Sequence, residues 1–342
     1  MFNLNLNFML LTRKSGCKIT TFPSIHKIFS IFFVFLHPDM AQFTDNELSI
    51  LIPTYNCVCV ELVRRLHQQA MATGINFEII VADDGSTDAS TIEANREISS
   101  LPHCRFIERK ENSGRAAIRN FLAREASHAY ILYIDSDMTV ISPDFITRYL
   151  ACLPAQVVDG GVAIMADSDE QKQLLRYRYE KAEEPHHTAT ERQKTPYQHL
   201  HTANLLIARE LMLQHPFDER LRHYGYEDVL LGKTMQRQSI PILHVDNPLG
   251  FCIFESNAQF MAKTEEGLRT LCQFRNDLRG YSRMLTFVQG IHIPAILWLI
   301  RLFHFVFGAT IRRNLCGSRP YLSLFKIYRL GYYLSLLNHR EG

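Results

Sequence analysis

Several common signatures are missing from this chain. It holds eight cysteines, but no C-x-x-C pair and no cysteine spaced with histidine as in a zinc finger. Dispersed thiols in a chain of 342 residues argue against a disulfide-stapled scaffold and read as reduced, buried small hydrophobes in a cytosolic setting. Charge of one sign is not in excess: 37 Lys and Arg stand against 35 Asp and Glu, which gives no reason to expect nucleic acid as a partner. Glycine (16) and proline (13) are not enriched, so collagen-like and low-complexity classes fall away. No internal repeat is found. What is present is a 46% hydrophobic composition, too apolar for a disordered chain and sufficient for a sizeable core.

The distribution of charge says more than its sum. Residues 267–342 carry eleven Arg and Lys against only Asp277 and Glu341, and residues 1–40 carry Arg13, Lys14, Lys18 and Lys27 against Asp39. The body between them is therefore acidic. The basic tail is also aromatic, which suits an anionic membrane surface. Its run Ile291–Thr310 is interrupted by Pro294, Arg301 and His304. Arg301 at mid-helix costs about 2.5–3.5 kcal/mol on insertion scales, so the run is expected to lie in the interface rather than to span. Near the other end, Ile28–Leu36 is too short to span a bilayer. The expected organisation is a leader over 1–43, poorly ordered and outside the folded unit, with Met40 as a candidate natural start; a catalytic domain over 44–270; and a basic helical extension over 271–342.

From Glu47 on, strand and helix patterns alternate. Leu48–Ile52, Phe77–Ala82, Arg105–Glu108 and Tyr130–Ile134 read as strands. Val58–Met71, Asp88–Ile98, Gly114–Ala126 and Asp144–Leu153 read as helices, with Thr87 or Asp88 as an N-cap. Four β-α units in succession predict a parallel sheet covered on both faces. Further on, Val157–Met165 reads as a strand with a Gly-Gly interruption, and Asp167–His201 as a helix plus a mobile loop. Asn204–Ala208 and Ile242–Val245 read as strands, Val229–Gln238 and Asn257–Leu271 as helices.

Ligands of such sheets sit at the carboxyl ends of the strands. Here those ends are Pro53-Thr54-Tyr55-Asn56, Asp83-Asp84-Gly85-Ser86 and Asp135-Ser136-Asp137. Clustered carboxylates repel unless something positive holds them. Oxygen-only ligands favour Mg2+ or Mn2+ over zinc. Asn112-Ser113-Gly114-Arg115 opens a helix whose amides, with Arg115, can face an anion. A metal-bound nucleoside diphosphate satisfies this set, with the metal at Asp137 and with Tyr55 and Asp84 on the base.

The stretches LSILIPTYN, VADDGSTD, ENSGRAAIRN, YILYIDSDM and YGYEDVLLG, in this order, resemble the family 2 glycosyltransferases over about residues 47–271. The resemblance implies the GT-A fold: a Rossmann-like α/β domain with a mostly parallel central sheet and flanking helices, here followed by a C-terminal helical extension. It implies an inverting transfer from a nucleotide-sugar, most often a UDP-sugar, to a glycan or lipid-linked acceptor, in polysaccharide biosynthesis at the cytoplasmic face of the cell membrane. It also implies roles. Pro53, Thr54 and Tyr55 would flank base and ribose, and Asp84 would accept the uracil N–H. Arg115 and Ser136 would border the donor. Asp135 would face the ribose and metal, and Asp137 would bind the metal. Asp228 would be the general base, with Glu227 supporting the acceptor. Asn204, in Thr202–Ile207, would line the sugar or acceptor pocket. His244 is a candidate third metal ligand. Arg119 reads as a surface arginine, and His186, His187, His199 and His201 as a polar loop.

Two other readings compete. Ile134–Thr139 also fits the hhDxDxT nucleophile loop of haloacid-dehalogenase-like phosphatases, with Asp135 and Asp137 in the reacting roles. A GT-A-like module that holds a nucleotide-sugar without turnover is the other.

Overall fold

The computed structural model describes residues 47–338; the expected leader and Met40 lie outside them. Four apolar, β-branched runs form β1 (Glu47–Thr54), β2 (Asn76–Asp83), β3 (Cys104–Glu108) and β4 (Tyr130–Ile134). They pair in parallel, β1 lying between β2 and β4. The connections are α1 (Val60–Thr73), α2 (Ala89–Arg96) and α3 (Arg115–Glu125). Asp88 caps α2 by accepting from the Ser90 amide at 3.0 Å, one of the two expected caps.

Beyond β4 the sheet changes direction. Strands β5 (Met138–Thr139), β6 (Val157–Asp159) and β7 (Val162–Ile164) follow, with helix α4 (Phe145–Leu150) between β5 and β6. The interrupted strand read at Val157–Met165 is thus two strands, divided at Gly160-Gly161 and placed in different sheets. The stretch read as one helix plus a mobile loop forms α5 (Asp169–Gln173), α6 (Leu175–Glu183) and α7 (Ala189–Lys194), joined by tight turns. After β8 (Asn204–Ala208) come α8 (Arg209–Gln214), α9 (Glu227–Arg237), β9 (Leu243–His244) and β10 (Leu249–Phe251). The main sheet runs β3-β2-β1-β4-β8-β6-β9, and a small sheet runs β5-β10-β7. Strand β8 is antiparallel to β4 and β6, so the parallel pattern holds for the first four strands and breaks at β8.

The core lies on both faces of the main sheet. One face packs Ile50, Ile52, Ile79, Val81, Leu132 and Ile134 against α1 and α4. The other packs Leu51, Ile80, Ile131 and Tyr133 against α3 and α8. Alternate residues of each strand therefore go to opposite layers, as the pleat requires. This is the mixed α/β architecture that the resemblance implied. The seven cysteines among the described residues are free.

The chain ends in α10 (Asn257–Gln273), α11 (Arg283–Gln289), α12 (Pro294–Cys316) and α13 (Leu322–Asn338). Helices α10 and α11 share a hydrophobic cluster with α13 around Leu271, Leu285 and Leu334. Helix α12 buries only Gly308, Ile311 and Leu315. Trp298, Leu299, Phe303, Phe305 and Val306 remain exposed, Phe305 at 87%. Among the described residues α12 is the one helix long and apolar enough to cross a membrane.

Candidate active site

The strand ends of the parallel half meet one another through polar side chains. Asn56, at a φ of 48°, accepts from the amides of Thr87 (2.9 Å) and Asp88 (3.0 Å), and its own amide donates to Ser86 Oγ at 2.7 Å. Asp83 accepts from the Ser86 amide at 2.7 Å. Asp84 accepts from Arg109 (2.8 Å), from Ser113 Oγ (2.7 Å) and from the amides of Ser113 (3.1 Å) and Gly114 (3.0 Å). Gly85 makes this crossing possible: a Cβ there would stand 2.6 Å from the Glu111 carbonyl carbon, and its φ is +73°. Asp84 is thus the anchor of the 109–114 loop. Its carboxylate still borders the cavity, but most of its accepting capacity is taken by that loop rather than left open for a base.

These loops line a first cavity of about 360 Å³, together with Pro53, Thr54, Tyr55, Arg115, Asp135, Ser136, Asp137 and Tyr224. Tyr55 is 46% exposed at its mouth, which leaves a ring face open for stacking. The Thr54 hydroxyl donates to the Cys57 carbonyl at 2.8 Å and so shapes the turn rather than facing outward.

A second cavity of about 220 Å³ adjoins the first and shares Arg115, Asp135, Asp137 and Tyr224 with it. Glu227 and Asp228 line this second cavity, with Glu180, Arg176, His201 and Phe251. They open α9 immediately after Gly225 (φ 95°) and Tyr226 (φ 74°). That left-handed pair turns the chain so that two carboxylates sit at a helix N-terminus, where the helix dipole favours negative charge.

One buried side chain hydrogen-bonds to both acidic pairs. Arg119 is 1% exposed; it donates to Asp135 at 2.6 Å and to Glu227 at 3.2 Å. It is therefore a buried crosslink, not the surface arginine read from the sequence. The signal was available: Arg115 and Arg119 are one turn apart, so on a helix they share a face. Arg115 stands 3.6 Å from Glu227 and 3.9 Å from Asp135, with its guanidinium over the Tyr224 ring.

Protonation follows from this arrangement. Burial opposes the charged form of Asp135, but Arg119 and Arg115 outweigh it and hold its carboxyl below the usual range. Asp137 goes the other way, raised by burial and then by the charge of Asp135. Withdrawal from water, and then neighbouring Glu227, push Asp228 up to about 6. Neighbouring carboxylates with pKa values driven apart are the pattern of sites that move protons.

Asn204 departs from expectation. It is fully buried, accepts from Tyr149 at 2.7 Å and donates to the carbonyls of Gly161 (2.8 Å) and Asn247 (2.9 Å). Both ends of its amide hold the scaffold, and it is the preceding Thr202 and Ala203 that reach the cavity wall. His244 likewise has both ring nitrogens occupied, by Arg192 at 3.1 Å and by the Pro196 carbonyl at 3.0 Å. It serves a buried network around Asp159 and does not face Asp137. His187, His199 and His201 form an edge-to-face cluster, and burial drives His187 and His199 down to about 4.

Among the described residues no three His, Cys, Asp or Glu side chains come together as a metal-holding group. The donor set for a cation is therefore the Asp135 and Asp137 carboxylates alone. It is all oxygen and half-buried, and its Asp137 member meets no side-chain donor among the described residues. That fits a hard divalent ion whose remaining ligands come from a bound diphosphate and water.

Residues 49–212 match the family model described as Glycosyl transferase family 2. The chondroitin synthase of Escherichia coli is 25% identical over 242 residues, covering 61% of this chain and 35% of that protein. Glycosyltransferase GlyA of Streptococcus pneumoniae serotype 4 is 37% identical over 93 residues, covering 27% of this chain and 13% of that protein. The chain thus spans about a third of the first relative's length and far less of the second's. Among solved structures, S. aureus TarS 1–349 is 18% identical, covers 86% of this chain and 92% of its own, and superposes with a TM-score of 0.47. The family match leaves the phosphatase reading of Ile134–Thr139 without support. Placed beside the strand-end carboxylates just described, it marks residues 49–212 as a domain of glycosyl transferase family 2.

Proposed function

We propose that the chain is an inverting glycosyltransferase that moves a sugar from a nucleotide-sugar, in the first instance a UDP-sugar, to a glycan or lipid-linked acceptor. One observation carries this reading. The acidic pair at the end of β4 and the acidic pair opening α9 line adjoining cavities, and Arg119 holds both. The base and ribose lie along Pro53, Thr54 and Tyr55, with Asp84 fixing the loop that faces them. Asp137 and Asp135 would hold Mg2+ or Mn2+, which when bound would supply positive charge against that gathering on the leaving diphosphate. Arg115 lies at the junction of the cavities and adds a second positive charge there.

Asp228 takes the proton of the acceptor hydroxyl as that oxygen attacks the anomeric carbon from the face opposite the leaving group. A carboxylate with a pKa of about 6 is mostly ionised at neutral pH and more basic than a free one. Both properties suit a general base, whose contribution is about 10²–10⁴-fold. Glu227, pinned by Arg119, keeps Asp228 raised and sets the start of α9. No covalent nucleophile is needed. A catalytic domain over 44–270 and a membrane-facing extension over 271–342 complete the reading. The exposed aromatic face of α12 supports a seat on the inner face of the cell membrane, with the rings in the acyl boundary and the basic residues at lipid phosphates.

The test is a screen of nucleotide-sugars for metal-dependent hydrolysis and transfer, repeated on two variants. Asp228→Asn is expected to keep UDP affinity and to lose transfer. Asp137→Ala is expected to weaken metal-dependent UDP binding. Transfer at the wild-type rate in Asp228→Asn removes that residue from the base role.

A further inference from the structure

The C-terminal helices are packed behind the second cavity. Two residues of α6, Arg176 and Glu180, stand one turn apart and line that cavity. Three others reach the end of the chain. Arg178 donates to the Pro320 carbonyl at 2.6 Å, and Glu183 pairs with Lys326 of α13 at 3.0 Å. The Tyr179 hydroxyl accepts from Arg329 of α13 at 2.9 Å, and its ring meets Phe325 edge-on, 5.0 Å between centres. Helix α13 in turn crosses α12 closely. A Cβ at Gly331 would stand 2.7 Å from the His304 Cβ, and the His304 ring lies against Tyr328 and Tyr332. Elsewhere on α12, Ile296, Leu299, Phe303 and Phe307 recur at helical spacing and are exposed. Exposed Leu302 and Val306 lead to Arg313 on the same side of the helix. The sequence has no acidic residue between Asp277 and Glu341. Among the described residues, Arg279, Arg313 and Arg319 are exposed with no carboxylate within ion-pair distance.

We propose that an anionic lipid surface is the partner of this face, and that its contact is passed through the Gly331 crossing and α13 to α6, which it steadies for turnover. The proposal rests on the transferase reading and names what regulates that same site. A bilayer supplies what the face lacks in water: an apolar medium for the rings and phosphates for the unpaired arginines. A second copy of the chain would instead set this basic segment against itself. Covering the face favours the arrangement in which α12 and α13 are packed as described, and α6 rests on that arrangement. A ligand that favours one arrangement shifts the population toward it. Arg329 is then a positioning residue: it lines neither cavity and reaches α6 from behind. On this reading 271–338 belongs to the working site and is not a separable anchor.

The test uses the full chain, with vesicles of phosphatidylcholine alone and of phosphatidylcholine and phosphatidylglycerol in equal parts. Turnover of the nucleotide-sugar that the screen selects is measured with each, beside vesicle sedimentation and hydrogen exchange of the α6 amides. The mixed vesicles are expected to raise kcat about fivefold, the lower end of ordinary coupling between two sites. They are also expected to slow exchange in α6 and to leave the Kd of UDP unchanged. The double variant Trp298→Ser, Phe305→Ser is expected to match the wild type without lipid and to lose both responses. Arg329→Gln is expected to sediment with the mixed vesicles but to lose the rise in kcat, and Arg329→Lys to regain part of it. The proposal is overturned if the mixed vesicles bind but leave kcat and α6 exchange unmoved, or if phosphatidylcholine alone acts as well as the mixture. It is equally overturned if no vesicle binds, as when a second copy covers α12. The comparison of vesicles on the wild type stands even if a variant misfolds. Slowed α6 exchange on the mixed vesicles, with no nucleotide-sugar turned over, would support the lipid contact and count against the reaction proposed above.

Discussion

The two cavities meet at Asp135 and Asp137 but are built in opposite ways. The first is walled by loops that follow parallel strands, and their polar groups are tied to one another. Asn56 holds the start of α2, Asp83 holds Ser86, and Asp84 holds the 109–114 loop. Fully satisfied networks of this kind are stiff. The second is walled by short helices, the small sheet and the opening of α9, and among the described residues its Glu180 carboxylate accepts no hydrogen bond. On the reading proposed above, rigidity is concentrated where the nucleotide would be held, and the looser wall lies where the acceptor's proton would be taken.

The contrast can be broken at its joint. Arg119→Ala removes the buried guanidinium that hydrogen-bonds to both Asp135 and Glu227 and leaves them only the more distant Arg115. Loss of one partner from a buried ion pair costs about 3–5 kcal/mol, so chemical denaturation should show a large fall in stability as well as in transfer. A variant that unfolds at the wild-type midpoint would show that the cavities are held separately.

The pH profile sharpens the chemistry of the second cavity. If Asp228 is the base, as proposed, it acts ionised, and burial beside Glu227 pushes it up to about 6, so kcat/KM is expected to fall about tenfold per pH unit below that value. Stability runs the other way. A carboxyl raised in the folded state favours the protonated form, so its contribution is present at low pH and is lost as pH rises through 6. Asp228→Asn should therefore gain stability relative to the wild type at pH 7.5 but not at pH 4.

Gly85→Ala probes the stiffness of the first cavity. The added methyl meets the Glu111 backbone at 2.6 Å, and overpacking with a positive φ costs about 1–3 kcal/mol. UDP binding should weaken while the pKa of Asp228, read from the pH profile, stays put. The smallest effect on either cavity is expected from replacing Trp298 and Phe305 with serine on the exposed face of α12. Such surface changes move stability by about 0.5 kcal/mol or less. Sedimentation with anionic lipid vesicles should nevertheless fall.

The same contrast explains what could be read from the chain. Tyr130–Ile134 is a strand at the expected bounds, and β1 to β3 and α1 to α3 fall within a few residues of expectation, because each is local: an apolar period bounded by turn residues. The strand-end acids were legible for the same reason. The direction of β8 was not, since its partners β4 and β6 lie far along the chain and nothing in its five residues encodes their orientation. Asn204 was misplaced because its neighbours Thr202 and Ala203 do reach the cavity, and the pleat sends the next polar side chain elsewhere.

Arg119 has a further consequence for how mutational data on this enzyme should be interpreted. Its guanidinium ties the pair at the end of β4 to the pair opening α9 within one side chain. Substituting Asp135 frees half of that guanidinium to shift toward Glu227, so a defect scored as lost nucleotide affinity would include a displaced α9. Single replacements at 119, 135 and 227 will not sum. Only a double-mutant cycle across them can apportion the loss between grip and chemistry.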